Sequence, residues 1–307
     1  MNAAPSVSVI LTAHNRSNVM RLALDSALRQ QFEDLEVLVY CDGCSDDSAA
    51  VARASADPRV RVFELNPKLG HQARVTNLAL TQARAPWIAC LNQDDLWLPD
   101  HLQRLLDAAT AMQAQVAVAR QYSWTTQGPR LGPQGYSPLQ HYPMSARLVH
   151  RDAFARLGAL RDPTELYCLP SDEWLFRAWY RGERIAFSEL PSLVKIDSVL
   201  QGCSYRERAD QEQLQVHRWL QSADPRAHLE AAVLAGATPQ PVVDRWRRRS
   251  FKEWAGSARF RLSALARRSL QQLGLRLGIA PQSVDHWWYG HQRGGFQRWI
   301  NRMRGSD

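Results

Sequence analysis

Short apolar runs alternate along roughly the first hundred residues with segments in which apolar side chains recur every three or four positions. The runs predict four strands, at Val7–Leu11, Leu35–Tyr40, Val60–Leu65 and Trp87–Leu91. The longer periodicity predicts helices that follow Ser17, span Ser48–Ala56 and span Arg74–Ala83. Because strands that alternate with helices form βαβ units with right-handed crossovers, we predict an α/β fold with an open, mostly parallel sheet flanked by helices.

The pattern changes after the fourth predicted strand. Gly, Pro and Ser concentrate between Gly128 and Pro143, which predicts a loop at the seam between two halves of the fold. Order resumes at Ser145–Leu157, and Ser171–Arg181 carries its apolar residues on one side of a predicted helix. Loops positioned by a rigid scaffold often carry function, so the seam is a candidate part of a site.

Composition sets broad limits. A chain of 307 residues with 45% hydrophobic content can bury a full core. The five cysteines form no disulfide framework, and Cys41 and Cys44 lack a second pair to complete a four-ligand zinc site. No charged and then apolar leader opens the chain, and no window approaches the ~18 apolar residues of a membrane span. We therefore expect a cytoplasmic protein.

Positive charge belongs to the end of the chain. From Pro241 onward there are 14 Lys and Arg against 4 Asp and Glu. The excess of positive charge in this region is therefore larger than the net charge of +8 of the whole chain. Two apolar stripes recur there at helical spacing: Phe251, Trp254, Ala255, Ala258, Leu262, Leu265 and Ala266, and Phe296, Trp299, Ile300 and Met303. Such helices suit an anionic membrane surface, or they dock on the rest of the protein or on a second subunit. No nucleic-acid recognition motif accompanies them, so we expect no nucleic-acid partner.

Polar side chains follow three of the predicted strands. Thr12, His14, Asn15 and Arg16 come after the first strand, Asp42 and Gly43 after the second, and Asn92, Gln93, Asp94 and Asp95 after the fourth. Ligands of open α/β sheets gather at the carboxyl ends of strands, where carboxylates can hold a cation that bridges nucleotide phosphates. The alternatives are that the two acids only begin the next helix and that the Asp-Gly pair is a simple turn.

Four motifs, over residues 6 to about 200, come in the order typical of one family. They are Val9–Arg16, Val39–Asp47, Gly70–Leu80 and Asn92–Pro99. Their order resembles that of the family 2 glycosyltransferases, which are inverting enzymes with a GT-A-type fold. The resemblance implies such a domain at 1–210, with a nucleotide half to about 127 and an acceptor half from about 128, followed by a helical, basic region at 211–307.

Some positions depart from the family pattern. Cys41 and Cys44 replace an acid and a serine of the second motif. Arg74 lies three residues before Asn77, where the family has an adjacent Arg-Asn pair. Asn92 stands in place of the first acid of the Asp-any-Asp signature, so the site has one negative charge fewer.

The resemblance implies roles for individual residues. Nucleotide binding is implied for Thr12, His14, Asn15, Arg16, Asp42, Gly43, Arg74, Asn92 and Gln93. Asp94 and Asp95 are the implied ligands of a divalent cation, Mn²⁺ or Mg²⁺, with Asp94 as the direct one. For Arg74, the alternative is an ordinary solvated surface charge.

An acidic pair opens the helix predicted at Ser171–Arg181. Asp172 and Glu173 resemble the family motif whose acid is the general base. Adjacent side chains on a helix point about 100° apart, so we expect only one to face the acceptor, and we choose Glu173, with Asp172 in reserve. The alternative is that both acids only stabilise the helix N-terminus.

These features predict an inverting transfer of a sugar from a nucleoside diphosphate, with UDP as the expected nucleotide. The expected acceptor is a glycan or lipid-linked hydroxyl in bacterial surface polysaccharide synthesis, with the enzyme in the cytoplasm or peripheral at the inner membrane face. One alternative is a degenerate protein that binds nucleotide sugars without turnover. Another is a nucleotidyltransferase, which would need a Gly-rich, lysine-containing loop after the first strand that the sequence lacks.

Overall fold

The structure is a computed structural model that describes residues 4–125, 128–138, 140–166, 168–196, 211–236 and 269–279. Its strands are β1 (Val7–Ala13), β2 (Leu35–Asp42), β3 (Val60–Leu65), β4 (Trp87–Asn92), β5 (Leu96–Trp97), β6 (Val116–Thr125), β7 (Gly128–Leu131), β8 (Arg147–His150) and β9 (Ile185–Ile196). Its helices are α1 (Ser17–Leu28), α2 (Ser48–Arg53), α3 (Gln72–Gln82), α4 (His101–Ala111), α5 (Arg151–Leu157), α6 (Pro170–Tyr180), α7 (Gln211–Leu220) and α8 (Pro225–Gly236). A further short helix spans 269–276.

One sheet runs through the described residues up to 196, in the order β3-β2-β1-β4-β8-β6-β9-β5, with β7 paired to β6. The first four strands in this order are mutually parallel, which confirms the α/β fold and its βαβ units. Beyond β4 the sheet is mixed, because β8 is antiparallel to both β4 and β6. The β6–β7 connection is two residues long, and a link of that length allows only an antiparallel pair.

Helices cover both faces of this sheet, and its central strands are therefore buried and mostly apolar. Every residue of β2 is buried, and in β1 only Thr12 is partly exposed. Parallel strands buried on both faces read as continuous apolar runs, which explains why the sequence shows β1 and β2 so clearly. The largest core cluster includes these strands with β4, β6 and the inner sides of α1, α3 and α4.

The segment after residue 210 is helical where it is described, in line with the prediction. Val216 of α7 and Leu229 of α8 pack into a second apolar cluster with Leu22 of α1. His217 Nε2 lies 2.7 Å from Asp25 Oδ2, which adds a polar contact between α7 and α1. Both predicted apolar stripes of the basic region lie outside the described residues. Among the helices that are described, none has the length and apolar character needed to cross a membrane.

A buried carboxylate ties together the amino-terminal edge of the parallel strands. Glu36 of β2 is only 1% exposed. Its Oε1 accepts hydrogen bonds from Ser8 Oγ at 2.7 Å and Arg84 N at 2.8 Å, and its Oε2 accepts from Arg84 Nε at 2.8 Å. Arg61 Nη1 on β3 donates to the same Oε2 at 3.1 Å. Burial alone would raise the pKa of Glu36, but these donors outweigh it and hold the pKa below its ordinary value.

Glu36→Gln should lower the free energy of unfolding by about 1–2 kcal/mol at pH 7, because Ser8 and two partly solvated arginines lose their charged acceptor. A carboxylate whose pKa is depressed by folding stabilises above its unfolded pKa, and this contribution disappears as the pH falls through the folded pKa. The difference in the free energy of unfolding between wild type and variant should therefore shrink below about pH 4. Urea denaturation at several pH values measures this free energy.

The control is Glu64→Gln on β3, where the side chain is exposed and its partner Arg53 is solvated. This change should stay within about 0.5 kcal/mol of wild type at every pH. An equal loss in both variants would contradict the role given to Glu36.

Candidate active site

The polar residues predicted to form a site meet at the carboxyl edge of β2, β1 and β4. Thr12 of β1 is in register with Asn92 of β4, and Ala13 with Cys41 of β2. The side chains that follow each strand therefore share one edge of the sheet. The structure thus brings together the first-strand, second-strand and fourth-strand groups that the sequence singled out.

The turn after β1 has an unusual backbone. Asn15 and Arg16 both have left-handed conformations, with φ of 56° and 63°. The Asn15 side chain supports this turn, since its Oδ1 accepts from Ser45 N at 2.8 Å. Strained non-glycine residues concentrate at functional sites, where the surrounding structure holds them.

His14 connects the neighbouring strand ends. Its backbone N–H donates to Gln93 Oε1 at 2.9 Å, and its ring Nδ1 lies 2.7 Å from the carbonyl oxygen of Asp42. The imidazole therefore bridges the ends of β1 and β2, while Gln93 joins β1 to the turn after β4. Both histidine contacts fix loop geometry at the place proposed for the nucleotide.

Asp42 organises the loop that precedes α3. Its two carboxylate oxygens accept hydrogen bonds from Leu69 N at 2.6 Å and Gly70 N at 2.9 Å. Gly43 has a φ of +63°, and a Cβ there would lie 2.5 Å from Lys68 Cβ. A turn and a close approach of two loops thus both require glycine at this position. Each Asp42 oxygen keeps a second lone pair for a ligand.

Asn92 and Asp95 form a buried polar cluster beneath the edge. Asp95 is 2% exposed, and its Oδ2 accepts from Asn92 Nδ2 at 2.8 Å and Ser145 Oγ at 2.5 Å. The other end of the Asn92 amide accepts from Gln72 Nε2 at 2.5 Å. Burial, followed by the nearby charge of Asp94, raises the pKa of Asp95 to about 7. An amide suits position 92, because it donates to Asp95 and accepts from Gln72 at once.

Asp94 lies in the same turn and is partly exposed, unlike Asp95. Its Oδ2 is 3.7 Å from Arg16 Nη1. Among the described residues, no three His, Cys, Asp or Glu side chains are grouped to hold a metal ion unaided. Mg²⁺ in phosphate-binding sites is commonly held by one or two carboxylates together with substrate phosphates, so the single Asp94 carboxylate fits a divalent cation bound with a diphosphate. Asp95 is turned into the protein and is the less suitable ligand of the two.

Arg74 forms an ion pair with an acid. Its Nε and Nη2 donate to the two carboxylate oxygens of Asp162 at 2.7 and 3.1 Å, and its Nη1 donates to the Leu69 carbonyl at 3.1 Å. The hydrogen bonds to Arg74 and Thr164 hold the pKa of Asp162 well below its ordinary value. A diphosphate would have to replace Asp162 for Arg74 to serve it.

Asp172 and Glu173, in the first turn of α6, have different partners. Both Asp172 oxygens lie near His141 Nδ1, at 3.0 and 2.9 Å, and Oδ1 is 3.2 Å from the buried Arg147 Nη2. Glu173 accepts from Arg177 Nε and Nη2, each at 3.0 Å, and Arg161 Nη1 is 3.5 Å from its Oε1. The second carboxylate is thus neutralised by two arginines, as a structural ion pair would be. This difference favours Asp172 over Glu173 for proton transfer.

The segment Tyr142–Arg147 connects the two acidic groups. Ser145 Oγ donates to Asp95 and accepts from Asn92 N at 2.9 Å. Two residues later, Arg147 contacts Asp172 and also donates to the carbonyl oxygens of Tyr142 and Ser171. The Cα atoms of Ser145 and Arg147 are at most about 7 Å apart, so one short segment contacts both acidic clusters.

Sequence reasoning did not find Gln72, Ser145, Arg147 or His141 as members of these clusters. The Gly-rich and Pro-rich composition around His141 was the one signal that pointed to a functional loop. Gln72 lies within the third motif, Gly70–Leu80, but nothing in the local pattern indicates its contact to Asn92 or marks Ser145 and Arg147, because their partners lie far away in the chain.

An open α/β sheet with nucleotide-type polar groups at its carboxyl edge, and a second acidic cluster beside them, defines the class of GT-A-type glycosyltransferase folds. The sequence profile described as "Glycosyl transferase family 2" matches residues 8–164, about half of the chain. The chain belongs to this family.

Two curated relatives come from Rhizobium meliloti. The succinoglycan biosynthesis protein ExoO is 36% identical over 118 residues, which are 38% of this chain and 34% of that protein. The succinoglycan biosynthesis protein ExoU is 38% identical over 107 residues, which are 34% of this chain and 31% of that protein. The chain thus matches about a third of the length of these relatives.

Solved structures share the fold. TarS 1–349 of S. aureus in complex with UDP-GlcNAc superposes with a TM-score of 0.55 at 15% identity, covering 95% of this chain and 93% of that one. The mannosyltransferase PcManGT from Pyrobaculum calidifontis, in complex with GDP-Man and Mn²⁺, gives 0.53 at 17% identity, covering 94% and 88%. At these identities the likeness establishes the fold alone.

Asn92→Asp should lower the free energy of unfolding by about 2 kcal/mol, because Asp95 loses a donor and gains a buried like charge. The matched control is Asn18→Asp, the same change on an exposed residue in the first turn of α1, where an acid is tolerated. Chemical denaturation compares the two. Wild-type stability of the Asn92→Asp protein would contradict the structural role given to the amide.

Proposed function

We propose that this protein transfers a sugar from a nucleoside-diphosphate donor, with UDP as the nucleotide, to the hydroxyl of a glycan or lipid-linked acceptor. The observation that carries the proposal is that the Ser145–Arg147 segment contacts both Asp95, which follows Asp94 in the chain, and Asp172. The UDP-GlcNAc complex of TarS supports the nucleotide, and the names of ExoO and ExoU support a role in bacterial surface polysaccharide synthesis.

The donor lies along the carboxyl edge of the parallel strands in this proposal. The turn after β1, with Thr12, His14, Asn15 and Arg16, and the β2 end, with Asp42 and Gly43, bind the nucleoside. Gln93 and Asn92 shape the floor, where Asn92 acts through the groups that it orders. The diphosphate lies near Asp94 and Arg16, and Arg74 reaches it by exchanging the solvated Asp162 for phosphate, an exchange that surface ion pairs permit.

In this proposal Asp94 would hold the divalent cation together with the donor's diphosphate. When bound, the cation neutralises the negative charge that develops on the departing diphosphate. The Arg16 guanidinium beside Asp94 supplies a fixed positive charge at the same place, which is electrostatic stabilisation of the leaving group.

Transfer requires removal of a proton from a poorly nucleophilic hydroxyl. The acceptor oxygen bonds to the anomeric carbon from the side opposite the diphosphate, the bond from that carbon to the phosphate oxygen breaks, and the configuration inverts. The hydroxyl proton passes to the acidic cluster that contains Asp172 and its partner His141. Glu173 instead fixes α6 through Arg177, which also holds the carbonyl oxygens of Leu157 and Ala159.

The alternative of a degenerate protein that binds nucleotide sugars without turnover is based on the absence of an acid at position 92. The Asn92 amide accepts from Gln72 and donates to Asp95, so an amide at this position has a structural use and need not indicate lost activity.

We further propose that the reaction takes place in the cytoplasm and that the basic region from Pro241 attaches the protein peripherally at the inner membrane face.

Asp94→Asn should weaken UDP binding in the presence of Mn²⁺ by about tenfold or more, roughly 1.4 kcal/mol, because the cation loses its charged protein ligand. Affinity for UDP in EDTA should stay within about twofold, and isothermal titration calorimetry measures both. The control Asp107→Asn alters an exposed acid on α4 and should change neither value. Unchanged Mn²⁺-dependent affinity in Asp94→Asn would remove the cation from this residue.

Asp172→Asn should reduce UDP release from the preferred UDP-sugar by about 100-fold or more, while UDP affinity stays near that of wild type, because Asp172 acts in proton transfer and not in nucleotide binding in this proposal. Glu173→Gln should lower the melting temperature through loss of the Arg177 pair, with less than about tenfold effect on turnover. Full turnover in folded Asp172→Asn, with loss of turnover in folded Glu173→Gln, would return the base to Glu173.

A further inference from the structure

His141 and Asp172 form an acid–imidazole pair on the acceptor side of the site. Both carboxylate oxygens of Asp172 lie about equally close to His141 Nδ1, at 3.0 and 2.9 Å. The carboxylate accepts, so the ring nitrogen that faces it is the donor and carries the hydrogen. This leaves Nε2 of the neutral ring as the atom with an unshared electron pair.

His141 and Asp172 differ in how far their side chains are exposed to solvent. Asp172 is 5% exposed and has the buried Arg147 guanidinium against Oδ1, so its oxygens are directed into the protein. The His141 side chain is 40% exposed and lies in the Gly-rich and Pro-rich seam. A sugar hydroxyl can reach the imidazole more readily than the carboxylate behind it.

We propose that His141 is the proton acceptor of the transfer reaction and that Asp172 is the residue that positions it. The inference rests on the proposed glycosyltransferase function and names the atom that takes the proton. A base oriented by a second, buried carboxylate is a recurring arrangement in enzymes that activate hydroxyl groups.

The proton balance of the step is complete. The acceptor hydroxyl gives its proton to His141 Nε2 as its oxygen bonds to the anomeric carbon, and the electron pair of the broken bond leaves with the diphosphate. The imidazolium that forms keeps its Nδ1–H toward Asp172, whose negative charge stabilises it. The proton then passes to solvent, since the ring is partly exposed.

The surroundings of the pair tie it to the donor site. Arg147 reaches Asp172 from β8, and Tyr136 and Tyr142 stack near them with a ring separation of 5.4 Å. Burial raises the pKa of both tyrosines, so these neighbours stay neutral. His141 precedes by four residues Ser145, which donates to Asp95. The imidazole is thus held on the segment that connects the two acidic clusters.

The first experiment reads the tautomer and does not depend on activity. In the full chain labelled with ¹⁵N-histidine, the signals lost in His141→Asn identify His141. We expect the Nδ1–H tautomer in wild type and a shift toward Nε2–H in Asp172→Asn, because the amide no longer demands a donor. An Nε2–H tautomer in folded wild type would overturn the proposal.

The second experiment measures UDP release from UDP-glucose, UDP-galactose and UDP-GlcNAc, with water as the acceptor. His141→Asn places an amide N–H where Nδ1 was, so it keeps the contact to Asp172 but lacks Nε2. We expect UDP release to fall about 100-fold or more, with UDP affinity unchanged. In His141→Ala, added imidazole should restore at least about tenfold of the lost rate. A role confined to holding the loop predicts full activity in His141→Asn and no rescue.

The matched control is His217→Gln on α7. His217 forms another close histidine–carboxylate pair, with Asp25, and uses Nε2, which the glutamine amide replaces. Turnover should be unchanged there, and imidazole should have no effect. Wild-type turnover in His141→Asn overturns the inference alone. Absence of UDP release from every donor by wild type overturns the proposed function instead, while the tautomer measurement still decides whether the pair exists as described.

Discussion

A buried carboxylate must have its hydrogen bonds satisfied, and at Asp95 this requirement fixes the site. Asn92 Nδ2 and Ser145 Oγ both donate to its Oδ2, so the turn after β4 and the Tyr142–Arg147 segment are held against each other. The same segment then carries Arg147 to Asp172. A few polar contacts therefore join parts of the chain that are more than 70 residues apart. The side chains that make these long-range contacts are buried, so water cannot replace their partners. The arrangement of both acidic clusters follows from this one constraint.

The departures from the family pattern become understandable in the same terms. A second acid at position 92 would add a charge next to a carboxylate whose pKa is already raised to about 7 by burial and Asp94. The amide removes that repulsion and also fixes Gln72 at the start of α3. The charge of Asp94 then lies 3.7 Å from Arg16. Asn92 and Asp95 hold the turn that contains Asp94, the acid that we propose for a cation.

The sequence predicted what depends on local pattern. β1 to β4 are short apolar runs bounded by turn residues, and their common carboxyl edge follows from parallel pairing. β6 and β9 were not predicted, because β6 turns polar at Arg120 and Gln121, and β9 contains Pro191 and shifts register against β6 between Ala119 and Gln121. In the site, the different directions of the Asp172 and Glu173 side chains were predicted from the roughly 100° between adjacent helix positions. The partners His141 and Arg147 were not, since tertiary contacts alone bring them to Asp172.

Glu36 and the polar residues of the site lie at opposite ends of the same strands. Ser8, which binds Glu36, and Ala13, at the carboxyl edge, are separated by five residues of extended chain, or roughly 17 Å. Substitutions that far apart have nearly additive effects on stability. Substitutions at the carboxyl edge can consequently change the proposed donor site without disturbing the Glu36 anchor at the other end. The length of the strand thus separates the part of the protein that stabilises the fold from the part where specificity can change.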